Sequence, residues 1–245
     1  MKPIVLCFSG FDPTGGAGIQ ADIEAINANN AQAMGVLTAI TAQNTSEIVQ
    51  FTPVNKQLIS LQANTILTEF QPKVFKLGVL ANSEVVEAIL TIISKYPNVP
   101  VVLDPVLKSS SKNSLSEDNL IKAMEAIIPL TKLITPNQSE LDALGGLDSL
   151  FKLGAKNVLL TTTDSSKTDN ITHYWHQPQK TTKFHCKRLP HKYHGSGCTL
   201  ASSISANLAR GLNLAQAIKQ GLDYTWHSLA NATVSNNPQL IPNRT

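Results

Sequence analysis

The sequence predicts a single α/β domain, residues 1–245, with a mostly parallel central sheet covered by helices on both faces. Short apolar runs bounded by turn residues alternate along the chain with segments of helical periodicity. This order of strand and helix signals is typical of parallel sheets with helices packed on both sides. Apolar residues make up 42% of the 245 residues, which is enough to bury a substantial core.

Six apolar runs are predicted as strands, and the segments between them as helices. After the second run, Leu58, Leu61 and Ile66 fall on one broad helical face, and the segment 85–93 shows the same period. The predicted strands are 4–8, 35–42, 74–79, 99–103, 132–134 and 158–162.

The last third of the chain departs from this alternation. His173 to Trp175 and Lys183 to Cys186 are predicted as an antiparallel hairpin. The tail from Asn236 to Thr245 is polar and contains proline, so we expect it to be a loose end.

Composition restricts the class of partner. The net charge of +3 comes without a Lys/Arg block, so we expect small anionic molecules rather than nucleic acid as partners. No apolar run in the sequence has the length of a membrane span, so we expect no membrane partner. The three cysteines, Cys7, Cys186 and Cys198, have no paired spacing, which suits reduced thiols in the cytoplasm. The apolar run at 4–8 is too short for the core of a signal peptide.

The run from His194 to Thr199, HGSGCT, leads into a helix-like stretch, Leu200 to Arg210. The first N–H groups of a helix have no partner within it, so this turn predicts a socket for an anion. Cys198 lies at the mouth of the socket, where a helix N-terminus lowers the cost of a thiolate and a proton acceptor could face a substrate hydroxyl. The residues alone leave open a plain helix-opening turn with a small buried cysteine.

A glycine-rich loop, SGFDPTGGAG at 9–18, follows the first predicted strand. No lysine follows its glycines, so it is not a phosphate-binding loop of the Gly-x4-Gly-Lys-Ser/Thr type. Its glycine spacing does not give the dinucleotide pattern Gly-x-Gly-x-x-Gly either. We therefore expect a loop whose backbone a small flat ligand can approach.

These two segments and four others, in the same order, resemble the hydroxymethylpyrimidine/phosphomethylpyrimidine kinases of thiamine biosynthesis, members of the ribokinase-like superfamily. The opening block together with Cys198 is specific to this branch, because most sugar-kinase relatives have an Asp at that place. The resemblance implies a ribokinase-like fold, and since relatives are often dimers it leaves a homodimer open. The matching blocks are 9–22, 38–45 (TAITAQNT), 76–78 (KLG), 104–106 (DPV), 135–140 (TPNQSE) and 194–199.

The resemblance implies phosphoryl transfer from ATP, with Mg²⁺, to a pyrimidine that bears a hydroxymethyl group, or to its monophosphate. Cys198 would take or orient the hydroxyl proton, and amides of the turn would hold charge on the transferred group. The implied residues are Gly195, Ser196, Gly197 and Cys198 for catalysis; Asp12, Gly15, Gly16, Ala17, Gly18, Asp22 and Gln43 for substrate; Asn137, Thr161 and Thr199 for nucleotide; and Asp104 and Glu140 for the metal.

Several of these residues have plainer interpretations. Asp104 could be a strand-end turn former, and Asn137 with Glu140 could simply start a helix. Asp22 could be a solvated acid early in its helix, and Gln43 a solvent-facing strand end.

The chain also departs from the family. Relatives usually carry a Lys-Gly-Gly-His-like segment after the strand at 158–160, where this chain reads TTTDS at 161–165. A cation and two permissive glycines are thus missing from the nucleotide side, and neither Lys108 nor Lys112 aligns securely with a family lysine. These departures leave open a pyrimidine- or pyridoxine-like ligand-binding protein with weak or lost kinase activity, or a pyridoxal-type kinase.

A zinc site is a further alternative, suggested by the histidines of the last third of the chain. His173 and His176 are three apart in a predicted strand and so point to opposite faces, which disfavours a shared ion. The candidate ligands are His173, His176, His185, Cys186, His191 and His194.

Overall fold

Strands and helices alternate along the computed structural model, which describes residues 1–107, 114–162, 169–233 and 239–245. The strands are β1 Ile4–Phe11, β2 Gln32–Gln43, β3 Ile48–Pro53, β4 Val74–Leu77, β5 Val101–Leu103, β6 Thr131–Ile134, β7 Val158–Leu160, β8 Asn170–Gln177, β9 Lys180–Lys187, β10 Lys192–Tyr193 and β11 Gln239–Leu240. The helices are α1 Gly18–Ala28, α2 Lys56–Leu67, α3 Ser83–Ile93, α4 Ser114–Met124, α5 Gln138–Ala143, α6 Gly146–Lys152, α7 Ser196–Ala209 and α8 Leu214–Ala230.

A nine-stranded sheet has the order β3-β2-β1-β4-β5-β6-β7-β8-β9 within the described residues. Neighbouring strands from β2 to β7 run parallel, while β3 at one edge and the β8–β9 hairpin at the other are antiparallel. The prediction of a mostly parallel sheet is therefore confirmed, and so is the hairpin. Strand β3 is absent from the sequence prediction because it is a half-exposed edge strand with polar Gln50 and Thr52 in its middle.

Helices cover both faces of the sheet, as predicted. Along β1, Leu6 and Phe8 belong to one apolar cluster and Val5 and Cys7 to another, because successive side chains of a strand point to opposite faces. Helices α2, α3 and α4 pack over the first face, and α1, α7 and α8 over the second. The carboxyl ends of the parallel strands consequently share one edge, where ligands bind in open α/β sheets.

The helices differ in how they begin. Asparagine side chains cap α2, α3, α5 and α8 by accepting a hydrogen bond from a backbone N–H of the first turn. Helix α7 instead follows Gly195, whose φ is +79° and which brings no side-chain cap. The N–H of Thr199 donates to Gly195 O at 3.0 Å, so the amides before Thr199 point out of the helix end. An anion socket needs this arrangement.

The tail is not a loose end, and that expectation is wrong for its described part, 239–245. Strand β11 pairs in parallel with β10, and His194 donates its N–H to Leu240 O at 2.9 Å. Arg244 is only 2% exposed. Hydrogen bonds of the backbone and of one guanidinium order this segment, and its polar composition gave no sign of them.

In the described ranges, none of the helices has the length and apolar character that crossing a membrane requires.

Candidate active site

The carboxyl ends of β1, β4 and β5 meet the N-terminus of α7 at one edge of the sheet. Asp104, directly after β5, donates its N–H to Leu77 O at 2.8 Å. A Cβ placed on Gly197, in the first turn of α7, would lie 3.6 Å from Asp104 Oδ1. The fold therefore brings the proposed metal ligand and the proposed anion socket together from distant parts of the sequence.

A buried ion pair lies beneath this edge. Lys76 Nζ is 2.8 Å from Asp22 Oδ1, and neither side chain is exposed. Ser9 Oγ and Ser202 Oγ donate to the same carboxylate at 2.5 and 2.6 Å. Burial alone would lower the pKa of Lys76, but the charge of Asp22 outweighs it and holds the pKa above its usual range, so Lys76 is an ammonium.

Asp22 is thus not placed as expected. Its carboxylate faces Lys76 and the two serines rather than the pyrimidine ring, and as a fully buried residue it is not a solvated first-turn acid either. Its position in α1 faces the sheet, which is why its side chain meets β1 and β4.

Cys198 lies half-buried at the start of α7, between the N–H of Gly18, which donates to its Sγ, and the carboxylate of Asp104. Burial raises the pKa of Cys198 to about 12, and the charges of Asp104 and Asp22 add to the shift although Lys76 opposes it. The expectation of a stabilised thiolate is therefore wrong. Desolvation outweighs the lowering effects of Lys76 and of the Gly18 N–H, and Cys198 is a thiol at neutral pH.

Asp104 carries an unsatisfied oxygen. Within the described residues its Oδ2 is buried and has no hydrogen-bond partner. Burial raises the pKa of Asp104, an effect that Lys76 opposes and Asp22 reinforces. An orphaned carboxylate oxygen beside the N-terminus of α7 fits Mg²⁺, which binds one or two carboxylates and keeps its remaining positions for water and phosphate oxygens.

Asp12 organises the glycine-rich loop. It accepts the N–H groups of Thr14 and Ala17, each at 2.9 Å, and its Oδ2 lies 2.7 Å from His194 Nε2. Burial would raise the pKa of Asp12, but the hydrogen bonds from His194 and Thr14 outweigh it and lower the pKa to about 2. Asp12 therefore ties the loop after β1 to the turn before α7.

The glycines of this loop serve two purposes. A Cβ on Gly16 would lie 2.4 Å from His194 Cδ2, and one on Gly18, whose φ is +62°, would lie 2.3 Å from Gly10 O. These two glycines allow the loop to pack on the protein, which differs from the expectation that the loop lies against a ligand. Gly15, whose φ is +72°, borders open space and stays available to one.

Gln43 ends β2, half-buried, beside a bulge and opposite Ile48 of β3. Thr41 Oγ1 donates to Phe11 O at 2.8 Å, which holds this end of β2 beside the start of the glycine-rich loop. Gln43 therefore lies at the edge of the sheet, whereas Asp22, its expected companion, lies inside the fold.

Where the nucleotide is expected, Asn137 and Glu140 form a capping box: Asn137 Oδ1 accepts the N–H of Glu140 at 3.0 Å, and Glu140 Oε2 accepts the N–H of Asn137 at 2.9 Å. The helix-start interpretation is thus correct, and Oε2 of Glu140 serves the cap. A parallel bridge places Asn137 beside Thr161. Thr199 is completely buried and its hydroxyl donates to Gly195 O at 2.8 Å, so it stabilises the turn rather than facing a nucleotide.

Several of the residues discussed in the sequence analysis have no described position. Lys108, Lys112 and the positions 163–165 of the segment TTTDS lie outside the described residues.

The described part of the structure gives no support to the zinc alternative. Within the described ranges, no three His, Cys, Asp or Glu side chains are grouped so that they could hold a metal ion. His173 instead accepts the N–H of Thr162 on Nδ1 at 3.2 Å.

Sequence reasoning did not predict the contacts of three residues in the site region. Lys76 carried a signal, because it is a charge inside the apolar run VFKLGVL. His194 was assigned to the turn and named as a candidate zinc ligand, but its contact with Asp12, 182 residues away, was not predicted. Arg244 gave no signal at all.

Comparison with known proteins identifies the family. The profile of the phosphomethylpyrimidine kinase family matches residues 12–240. This chain belongs to that family. The resemblance drawn from the motifs is therefore confirmed.

Among relatives of the family, a hydroxymethylpyrimidine/phosphomethylpyrimidine kinase of Staphylococcus aureus (strain MSSA476) is 31% identical over 89% of this chain and 85% of its own length. One of Haemophilus influenzae is 31% identical over 90% of this chain and 88% of its own. A probable thiamine biosynthetic bifunctional enzyme of rice is 33% identical over 97% of this chain, which spans only 46% of the rice protein.

Solved structures confirm the ribokinase-like fold. The phosphomethylpyrimidine kinase of Clostridium difficile 630 superposes with a TM-score of 0.75 at 29% identity, over 92% of this chain and 98% of that one. The ADP complex of Bacillus subtilis pyridoxal kinase reaches a TM-score of 0.91 over 100% of this chain and 98% of that one. At 24% identity, the similarity to the pyridoxal kinase shows the fold alone.

Proposed function

We propose that this member of the phosphomethylpyrimidine kinase family is a cytoplasmic enzyme of thiamine biosynthesis. It transfers a phosphoryl group from ATP to 4-amino-5-hydroxymethyl-2-methylpyrimidine, or to its monophosphate. One observation carries the proposal: a thiol, a carboxylate with an orphaned oxygen and the outward amides of α7 converge where β4 and β5 end. The names of the bacterial relatives supply the substrate.

The socket would stabilise the transferred group. Phosphoryl transfer depends mainly on positioning and on the stabilisation of charge spread over the phosphoryl oxygens. The amides of Ser196, Gly197 and Cys198 precede the first hydrogen bond of α7, so they can face those oxygens. The partial positive charge of the helix N-terminus acts in the same direction.

Cys198 would orient the substrate hydroxyl. Its Sγ can accept that hydroxyl's hydrogen bond while its own proton is shared with Asp104. In a loose transition state the hydroxyl proton leaves late and can pass to an oxygen of the transferred phosphoryl group, so the Cys198 thiol has only to orient the hydroxyl and need not act as a base.

Asp104 would hold Mg²⁺ through its orphaned Oδ2, and the bound ion would neutralise charge on the phosphates. Glu140 would act on the same side through the capping box that fixes Asn137 at the start of α5. The nucleotide phosphates would run toward Asn137 and Thr161, which lie side by side. Gly15 and Gln43 remain the proposed contacts of the pyrimidine, because both lie at the edge of the sheet next to open space or solvent.

The test is phosphorylation of the pyrimidine by Mg²⁺-ATP, with the products identified by mass spectrometry. Mono- and diphosphorylated pyrimidine are the expected products, and Cys198→Ala serves as the matched variant with intact pyrimidine binding and low turnover. Pyrimidine binding without any product would show a ligand-binding relative. Faster turnover of pyridoxal than of the pyrimidine would show a pyridoxal-type kinase. Either result would overturn the proposal.

A further inference from the structure

Arg244 is a buried cation that the proposed mechanism does not use. It is 2% exposed, and it lies beyond residues 12–240, which match the family profile. Its guanidinium reaches from the tail to the loop after β1, to α1 and to the first turn of α7. A buried charge is costly unless it is paired and hydrogen-bonded, so its contacts indicate what it does.

Four hydrogen bonds satisfy the guanidinium. Nε donates to Thr199 Oγ1 at 2.9 Å, and Nη1 donates to Gly15 O at 3.1 Å and to Glu24 Oε2 at 3.0 Å. Nη2 donates to Gly16 O. Three of these acceptors belong to the two segments that enclose the anion socket, and only Glu24 supplies a countercharge.

The bond from Nε fixes a peptide group of the socket. Thr199 Oγ1, which accepts from Arg244, donates in turn to Gly195 O at 2.8 Å, and the N–H of Thr199 donates to the same oxygen at 3.0 Å. In a planar trans peptide the C=O of Gly195 and the N–H of Ser196 point in opposite directions. Anchoring that carbonyl on α7 therefore directs the Ser196 N–H out of the helix, toward the socket.

The bond from Nη2 fixes the surface against which the turn rests. A Cβ on Gly195 would lie only 1.9 Å from Gly16 O, so the two backbones are in close contact there. Gly16 O is the oxygen that Arg244 holds. The guanidinium of Arg244 thus fixes both backbones that touch there: Gly16 O directly, and Gly195 O through the Thr199 hydroxyl.

The tail itself is fixed on α8. Tyr224 Oη donates to Arg244 O at 2.9 Å, and Asn243 donates its N–H to Ser228 O at 3.0 Å. The guanidinium is therefore presented to the socket from a segment that is hydrogen-bonded to α8, as a positioning group requires.

We propose that Arg244 is a positioning residue that fixes the direction of the Ser196 amide and thereby the anion socket. The inference rests on the proposed function only for its kinetic test. It requires the planar fork of arginine, because the ammonium of lysine cannot place donors on Thr199 and on the carbonyls of Gly15 and Gly16 together.

The test compares Arg244→Ala and Arg244→Lys with Arg210→Ala, which removes an exposed arginine at the other end of α7. We expect both Arg244 variants to lower kcat on the order of 10- to 100-fold, as misplaced catalytic groups do, with KM for the pyrimidine nearly unchanged. Guanidinium ion at millimolar concentration should restore part of kcat to Arg244→Ala. The control should keep the wild-type kcat. A folded Arg244→Ala with wild-type kcat would overturn the inference.

A second measurement separates this inference from the proposed function. Inorganic phosphate should raise the thermal unfolding midpoint of the wild type by filling the socket, and this rise should be lost in Arg244→Lys. An inactive wild type that shows the shift, together with its loss in Arg244→Lys, would refute the kinase and support the inference. No shift in the wild type, or an equal shift in Arg244→Lys, would refute the inference.

Discussion

Lys76 Nζ and Asp22 Oδ1 lie 2.8 Å apart, and both side chains are completely shielded from solvent. Two serine hydroxyls complete the coordination of the carboxylate. A second carboxylate, Asp104, acts on the same ammonium, and its Oδ2 is unsatisfied within the described residues. The charges of Lys76 and Asp22 cancel without Asp104, so folding does not need the negative charge of Asp104.

The first prediction concerns that pair. Lys76→Met should lower the free energy of unfolding by about 3–5 kcal/mol, because it leaves the Asp22 carboxylate buried without a countercharge. Urea denaturation measures the loss. The matched control is Lys56→Met, which breaks the exposed pair with Glu87 at 3.2 Å and should cost less than about 1 kcal/mol. Equal losses of stability in the two variants would contradict the assignment of Lys76 and Asp22 as a buried ion pair.

The second prediction separates stability from activity at Asp104. Asp104→Asn removes the unbalanced buried charge, so the free energy of unfolding should rise by about 1 kcal/mol or stay unchanged. Turnover with Mg²⁺-ATP should fall by about 100-fold or more, because an uncharged amide holds Mg²⁺ more weakly than a carboxylate. Urea denaturation and steady-state kinetics on the same preparation check both parts. Wild-type turnover of the variant would refute the role of Asp104 as a metal ligand, and strong destabilisation would show that Asp104 has a structural role.

The sequence predicted the parts of this site that are local. Strands β1, β4 and β5 were visible as apolar runs, and the uncapped glycine turn before α7 was visible as a motif. The interactions that set the charges and hold the loops of the site were not visible, because they join distant residues. Asp22 meets Lys76 54 positions away, and Arg244 meets Gly16 228 positions away.

The same reason explains the error at Cys198. A helix N-terminus can be read from the sequence, and it favours a thiolate. Burial and the two neighbouring carboxylates depend on the tertiary fold, and they raise the pKa to about 12. Strand β3 and the tail were missed for a related reason. They are ordered by pairing with neighbouring strands rather than by their own apolar residues, and the sequence does not show that pairing.

The third prediction tests the protonation state of Cys198. With a pKa of about 12, its thiolate at pH 8 is scarce, and alkylation by iodoacetamide should be on the order of 10³-fold slower than that of an unperturbed thiol. Peptide mass spectrometry resolves Cys198 from half-exposed Cys186. Alkylation of Cys198 at the rate of a free cysteine would restore the thiolate interpretation.

The fourth prediction concerns the turn at Gly195. Gly195→Ala adds a Cβ where φ is +79° and where Gly16 O would lie 1.9 Å away, so the loop and the turn must separate. Turnover should fall by at least about 100-fold, as for misplaced catalytic groups. Gly211→Ala, whose φ is +91° but whose Cβ position is open, is the matched control for backbone strain. Similar kinetics for the two variants would show that strain alone is responsible.

The fifth prediction is a pH dependence set by His173. Burial lowers the pKa of His173 to about 4, below the value of about 6.5 in an unfolded chain. Between these values the unfolded state binds a proton that the native state does not. The stability that His173 contributes is therefore present above pH 6.5 and is lost as the pH falls toward 4, by up to about 3 kcal/mol.

Urea denaturation at pH 7.5, 6 and 5 checks this dependence. His173→Gln should flatten the decline, because glutamine does not titrate and its side-chain oxygen can still accept the N–H of Thr162 that Nδ1 now accepts. His227→Gln, at an exposed position of α8, should keep the wild-type slope. If the stability of His173→Gln declines as steeply with falling pH as that of the wild type, another group causes the acid sensitivity. The hydrogen bond from the Thr162 N–H to neutral His173 is then not what stabilises this end of β7.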